Sequence, residues 1–193
     1  MTKSQKLSQL KKLLSESSVA PELAQQATQL VFGSGDINAD IVFVGEAPGK
    51  KEDITGRPFV GASGRVLDEL LDSIGLSRDD IYITNIVKYR PPDNRDPTAK
   101  EKEAFRPYLE QQLEIIAPKV VATLGRHSGQ VLVSGLDIGK DHGIEHKLVL
   151  ENKGTELTIL PLYHPAAAIY NRALRQTLFN DIAKLKRYIK QSN

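Results

Sequence analysis

"DIVFVGEAPGKKEDITGRPFVGASGRVLDELLDSIG", residues 40–75, is the stretch from which the fold can be read. It opens on a continuous apolar run, "DIVFVG", of the kind that forms a strand buried on both faces. It closes on "SGRVLDELLDSIG", where Val66, Leu67, Leu70, Leu71 and Ile74 recur along one side of a helix. Gly75 stands where a helix C-terminal glycine belongs. A strand, a long turn-rich loop and a helix in that order make one α/β unit.

The alternation continues in both directions. Upstream, Leu7, Leu10, Leu13 and Leu14 have helical spacing, and Leu23, Ala27, Leu30 and Val31 resume it after a break near "SSVAP". Residues 3–31 are therefore predicted to be helical. "VFGSGDINA" reads as a turn. Downstream, "DIYITNIV" is a second strand, and the prolines of "KYRPPDNRDP" keep the following loop out of regular structure. Thr98 and Glu101 form a T-x-x-E capping box for a helix running to about residue 116, which Pro107 is expected to kink. "KVVATLG" is a third strand and "RHSGQVLV" a short helix. "HKLVLENKGTELTILPL" reads as a hairpin whose second arm continues as a core strand. "YHPAAAIYN" opens the last connection, and residues 173–190 are predicted as the terminal helix.

Strands alternating with helices argue a parallel α/β sheet with helices on both faces, a three-layer α/β/α arrangement. With no linker, repeat or low-complexity segment, residues 1–193 read as a single domain, with residues 1–30 as an N-terminal helical segment packed on it.

Composition narrows the function. The 193 residues carry a net charge of +2, which permits a nucleic-acid partner without demanding one. No run approaches the roughly 20 apolar residues that span a bilayer. "MTKSQKLSQLKKLL" has lysines without the apolar core of an export signal, so a cytoplasmic protein with no membrane partner is expected. The chain has no cysteine, which rules out disulfides, thiolate zinc sites and cysteine-ligated iron–sulfur clusters.

Three turn-rich segments directly follow strands, at residues 45–64, 88–97 and 163–172. In open α/β sheets ligands bind outside the carboxyl ends of the strands, so these loops are candidates for one shared site. The first loop comes close to a phosphate-binding P-loop and fails. Only three residues separate Gly45 from Gly49, Lys50 is followed by Lys51 rather than Ser or Thr, and Glu46 would set an anion beside a triphosphate. What remains is Glu46, Glu52 and Asp53 beside backbone donors, Phe59 in the "GRPFVG" turn, and "GASG" leading into a helix. Carboxylate, aromatic face and helix N-terminus suit a base-plus-phosphate ligand, a nucleotide within a strand.

"GEAPGKKEDITGRPFVGASG", "TNIVKYRPPDNRDPT" and "HPAAAIYN" resemble the three signature blocks of the uracil-DNA glycosylase superfamily, most nearly its family 4. The resemblance covers about residues 31–190, in the expected order. It implies a central four-stranded parallel sheet between helices, and a monomeric enzyme of base excision repair. Such an enzyme extrudes uracil from single- or double-stranded DNA and hydrolyses its N-glycosidic bond to leave an abasic site.

The resemblance also distributes roles. Phe59 would stack on the flipped base. Asn85 would read uracil O4 and N3–H together, because a side-chain amide both donates and accepts. His164 would donate to uracil O2 as negative charge builds there. Gly45 and Ala47 are placed with them against the base. Glu46 and Glu52 are the candidates to position water or to stabilise the cationic sugar. Ala47 stands where family 1 enzymes carry an Asp, so the choice between the two glutamates stays open. Asp53 braces the loop. His127 and His142 have no motif around them and read as structural or exposed. No lysine is placed as an amine nucleophile, so a monofunctional glycosylase is expected.

For DNA contact, Gly61, Ser63 and Gly64 can offer backbone amides to phosphate. Arg90 and Arg95 would line the strand. Ile169 and Tyr170, with Arg172 beyond them, match the loop that wedges into the duplex. Arg175, Lys184, Lys186, Arg187 and Lys190 on the last helix read first as a solvated face.

Two departures from family 4 stand out. Its enzymes bind a [4Fe–4S] cluster through four cysteines, and here those positions correspond to Ser18, Pro21, Tyr89 and Phe105. No cluster and no other cofactor or metal is expected. Tyr89 and Phe105 would replace the cluster as an apolar plug, with Val19 and Leu23 as partners. "KYRPPDNRDPT" also lacks the basic, His-containing insert of a uracil-trapping subgroup, so turnover is expected. A catalytically weak uracil-DNA binding protein is the competing reading from another class, and a nucleotide-hydrolysing protein fails with the P-loop.

Overall fold

The computed structural model describes residues 1–150 and 154–189. In chain order the elements are helices α1 (Lys3–Glu16) and α2 (Pro21–Gln26), strands β1 (Ser34–Gly35) and β2 (Ile41–Gly45), helices α3 (Lys50–Thr55) and α4 (Ala62–Ser73), and strand β3 (Tyr82–Asn85). Then come helix α5 (Ala99–Ile116), strand β4 (Val120–Leu124), helices α6 (Arg126–Leu132) and α7 (Ile138–Asp141), strands β5 (His146–Val149) and β6 (Glu156–Leu162), and helices α8 (Pro165–Tyr170) and α9 (Arg172–Ile182). The turn of the expected hairpin, residues 151–153, and Lys190 lie outside the described residues.

The sheet runs β1-β3-β2-β4-β6-β5. Its centre is the expected parallel sheet, β3-β2-β4-β6, and the edge strands β1 and β5 are antiparallel additions to it. Side chains alternate across β2. Val42 and Val44 enter a core with Leu7, Leu10, Leu14, Leu23, Phe105, Leu109 and Leu113. Ile41 and Phe43 enter a second core on the other face, with Leu67, Leu70, Leu71, Leu178 and Ile182. Helices thus cover both faces, which is why the central strands read as unbroken apolar runs.

The register sets the site. Gly45 lies opposite Asn85 at the ends of β2 and β3. Gly125 follows β4 and donates its amide hydrogen to the Leu162 carbonyl at 2.8 Å, next to the turn that carries His164. The carboxyl ends of four parallel strands therefore converge on one edge of the sheet.

Local differences from the sequence reading have physical causes. Residues 27–31 are not helical: Thr28 and Gln29 give their amides to the buried Asp53 carboxylate, and Val31 gives its amide to the Lys88 carbonyl. The first loop contains the short helix α3. Helix α5 has the capping box of Thr98 and Glu101 and runs as one element through Pro107. The terminal helix begins at Arg172 and gives way to a 3-10 turn over Ala183–Tyr188.

Candidate active site

At the carboxyl edge of the sheet lies a cavity of about 260 Å³ lined by residues of all three loops, among them Glu52, Phe59, Ser63, Asn85 and His164. A smaller hollow of about 120 Å³ adjoins it, with Ala47, Gly49, Asn94 and His164 common to both. Glu46 lines the smaller hollow.

Asn85 is buried, and its Oδ1 has no hydrogen-bond partner. A buried polar atom left unsatisfied is uncommon and marks a place for a ligand donor. Gly45 makes room for it: a Cβ there would stand 2.3 Å from Asn85 Oδ1 and 2.5 Å from the Phe59 ring.

Phe59 adopts φ = +54°, a conformation that L residues rarely hold. The turn that forces it is tied from two sides. Glu52 Oε1 accepts the amides of Val60 and Gly61 at 3.0 and 2.9 Å. The Arg78 guanidinium donates to the carbonyls of Phe59, of Pro58 at 3.2 Å and of Gly64 at 3.3 Å, and is itself held by Asp68 at 2.6 Å. Gly64 must be glycine, since a Cβ would lie 1.9 Å from the Phe59 carbonyl oxygen. Phe59 is only 7% exposed, so it is a core residue and a cavity wall at once.

His164 caps α8, and its Nδ1 accepts the Ala166 amide at 3.1 Å. In the neutral ring the proton must then sit on Nε2, leaving one donor. Burial pushes its pKa down to about 4, so the ring is neutral at ordinary pH.

Glu46 and Glu52 are placed differently. Glu52 is occupied in bracing the Phe59 turn. Glu46 Oε1 is buried without a hydrogen bond, and His127 Nε2 stands 3.6 Å from it. Burial, and secondly the charge of Asp96, push the Glu46 carboxyl up to about 7, against the opposing pull of Lys102 and Arg126. His127 also meets Asp96 at 3.1 Å and Lys102 at 3.4 Å, a network that the absence of a local motif had concealed. His142 is elsewhere, paired with Asp181 at 2.6 Å.

The uracil DNA glycosylase superfamily profile matches residues 32–186. The chain belongs to this superfamily. The type-4 uracil-DNA glycosylase of Sulfurisphaera tokodaii is 47% identical over 86% of this chain and 77% of that protein. The type-4 enzyme of Archaeoglobus fulgidus is 44% identical over 85% of this chain and 84% of its own length. A type-5 uracil-DNA glycosylase from Pyrobaculum aerophilum is 34% identical over 68% of this chain and 63% of its own.

Around the cavity of this superfamily member, the expected DNA-facing residues divide. Ile169 and Tyr170 project, Tyr170 being 92% exposed, and Arg172 is exposed beside them. Ser63 lines the cavity at the start of α4. The Gly61 amide, by contrast, is already given to Glu52. Arg95 is engaged bidentately with Glu101 at 2.9 and 2.6 Å. Arg90 donates to Asn94 Oδ1 at 2.7 Å and so fixes a cavity residue that the sequence did not single out. Arg175 of α9, and Lys184 and Arg187 of the 3-10 turn after it, pair with Glu69, Asp181 and Glu145. Among the described residues no helix is long and apolar enough to cross a membrane.

Proposed function

We infer that the protein is a monofunctional uracil-DNA glycosylase of base excision repair. The observation that carries this is the orphaned Asn85 Oδ1 at the cavity between Phe59 and His164. Flipped uracil offers an N3–H to that oxygen and its O4 to the Asn85 amide hydrogens, while cytosine presents the reversed pattern. Phe59 stacks on the base, with the backbone at Gly45 and Ala47 closing beside it.

The C1′–N1 bond breaks with its electron pair going to uracil, and the charge spreads to O2. His164 Nε2–H donates to that oxygen as the charge develops. Glu46 is the carboxylate assigned to water, since Glu52 is committed to the turn. The Glu46 carboxylate faces the cationic sugar, orients water toward C1′ and takes its proton as the new C–O bond forms. A value of about 7 suits a base at neutral pH.

The iron–sulfur cluster of family 4 does not fit this chain, which has no cysteine. Two of the positions matched to its ligands are Tyr89 and Phe105, whose rings pack at 6.1 Å and 65° in a core that also holds Leu23 and Val19. That apolar plug holds the N-terminal helices to the domain through Leu14 and Leu23 of the same core. The two cores on one sheet support a single domain. The reading further takes the enzyme as a cytoplasmic monomer acting on single- or double-stranded DNA. Ser63, Gly64 and Arg90 face the backbone, and Ile169, Tyr170 and Arg172 enter the gap left by the base.

Incubation with uracil-containing and uracil-free oligonucleotides, followed by alkaline cleavage of abasic sites, tests the reading. Scission confined to the uracil strand is expected. Retarded but uncut uracil-DNA would overturn the enzyme in favour of a binding protein.

A further inference from the structure

Lys88 is buried completely, at 0% exposure, although its partners are neutral oxygens. Its Nζ donates to Thr84 Oγ1 at 2.6 Å, to the Asn85 carbonyl at 2.7 Å and to Gln112 Oε1. An ammonium has three N–H groups, and these three oxygens receive them. The Thr84 hydroxyl passes its own hydrogen to the Phe32 carbonyl at 2.8 Å, and Gln112 Nε2 donates to that carbonyl at 3.0 Å, so both are free to accept from Lys88. The Phe32 ring lies 5.8 Å from the ammonium. Burial itself pulls the group well below the usual lysine range.

A buried cation without a carboxylate partner is a poor means of stabilising a core, because an apolar side chain of similar length packs there without the desolvation cost. The location of Lys88 gives it another use. Asn85 is the last residue of β3 and presents its side chain to the cavity. The chain beyond it is tied to β2 through Ile86 N–H to the Gly45 carbonyl at 2.9 Å and Val87 N–H to the Glu46 carbonyl at 3.0 Å. The Asn85 carbonyl itself is held by Lys88.

We propose that Lys88 is a positioning residue for base recognition: it fixes the Asn85 peptide, and through it the direction of the Asn85 amide, from behind the cavity wall. The proposal rests on the reading of the cavity as a uracil pocket.

Wild type and Lys88→Met are compared in single-turnover uracil release, in inhibition by free uracil and in thermal unfolding. Methionine fills the space of the stem without charge or N–H donor. The expected result, with the assay run well below the variant's Tm, is a rate lower by at least about tenfold and a Ki for uracil raised by about tenfold, while the Tm itself falls because three buried oxygens lose their donor. Lys88→Gln, which keeps a donor at shorter reach, is expected to fall between the two, and it carries the same measurements if the Met variant does not fold. Rate and Ki within twofold of wild type overturn the proposal. So does a lost rate that accompanies a lower Tm and returns when the assay is run well below it. Wild type that releases no uracil defeats the glycosylase reading and this proposal with it, whereas active wild type beside an equally active variant defeats this proposal alone.

Discussion

The ring of His164 lies 6.0 Å from the ring of Phe59, tilted by 35°. The two residues come from loops after different strands, and each is held by backbone hydrogen bonds. His164 takes the Ala166 amide, and the Phe59 carbonyl takes Arg78. The aromatic walls of the cavity are therefore fixed before a base arrives, which spares the reorganisation that would otherwise oppose catalysis.

Removing the donor on one wall tests this arrangement. His164→Ala is expected to lower the single-turnover rate by about 10²–10³, the usual loss when one charge-stabilising donor is deleted. Affinity for uracil-containing DNA should change little, because the donor acts on charge that exists only in the transition state. Single-turnover kinetics beside gel-shift titration separates the two effects, and an unchanged rate removes His164 from the site.

Glu46 makes the rate and the stability depend on pH in opposite senses. Its carboxyl is raised to about 7 from 4.5, chiefly by burial. A folded pKa above the unfolded one means that this group contributes stability in full below about 4.5 and loses it as pH rises through about 7. The base form appears over the same interval. Uracil release is thus expected to climb through pH 7, while Glu46→Gln flattens that limb, lowers the rate and raises Tm at pH 8 relative to wild type. His164, held down to about 4, stays neutral across the whole window and does not produce the limb. A profile unchanged in Glu46→Gln would move the base role elsewhere.

The legible parts of this protein are those in which neighbours in sequence are neighbours in space. Gly75 has φ = +76° after α4, and Thr98 caps α5, because both signals depend on a few adjacent residues. The three motif blocks led to Gly45, Phe59, Asn85 and His164, which line or border one cavity. What stayed hidden depends on distant partners. Residues 27–31 have helical spacing, yet their amides are drawn away by Asp53 and Lys88. Arg78 reaches Phe59 across 19 residues, and His127 reaches Asp96 across 31, with no local pattern to announce either contact. Arg95 was expected to meet DNA, but Glu101 in the next turn claims it.

Arg78 holds the strained turn, so its loss should be felt at the base. Arg78→Met leaves carbonyls of Pro58, Phe59 and Gly64 without this donor, at a cost of roughly 1–3 kcal/mol. For a chain of this size that corresponds to a Tm lower by about 2–12 °C. With Phe59 released from φ = +54°, stacking weakens and the Ki for free uracil is expected to rise. Thermal unfolding and uracil inhibition measured on one preparation check both. A lower Tm with undiminished uracil affinity would make Arg78 a brace of the fold alone.

The core around Tyr89 and Phe105 should behave as a tether and nothing more. Phe105 is fully buried with its ring edge-on to Tyr89, and Leu14 and Leu23 of the N-terminal helices belong to the same cluster. Phe105→Ala opens a cavity there, at a cost of about 3–5 kcal/mol. The expected fall in Tm is on the order of 10 °C, with earlier proteolysis of the N-terminal helices. Uracil release assayed well below the new Tm should remain close to wild type, since neither ring lines the cavity. Phe105→Leu, which keeps most of the volume, should recover most of the stability. If Phe105→Ala abolished uracil release while the protein stayed folded, the plug would have to act on the "RPP" loop and the cavity beyond it, and its role as a tether would be wrong.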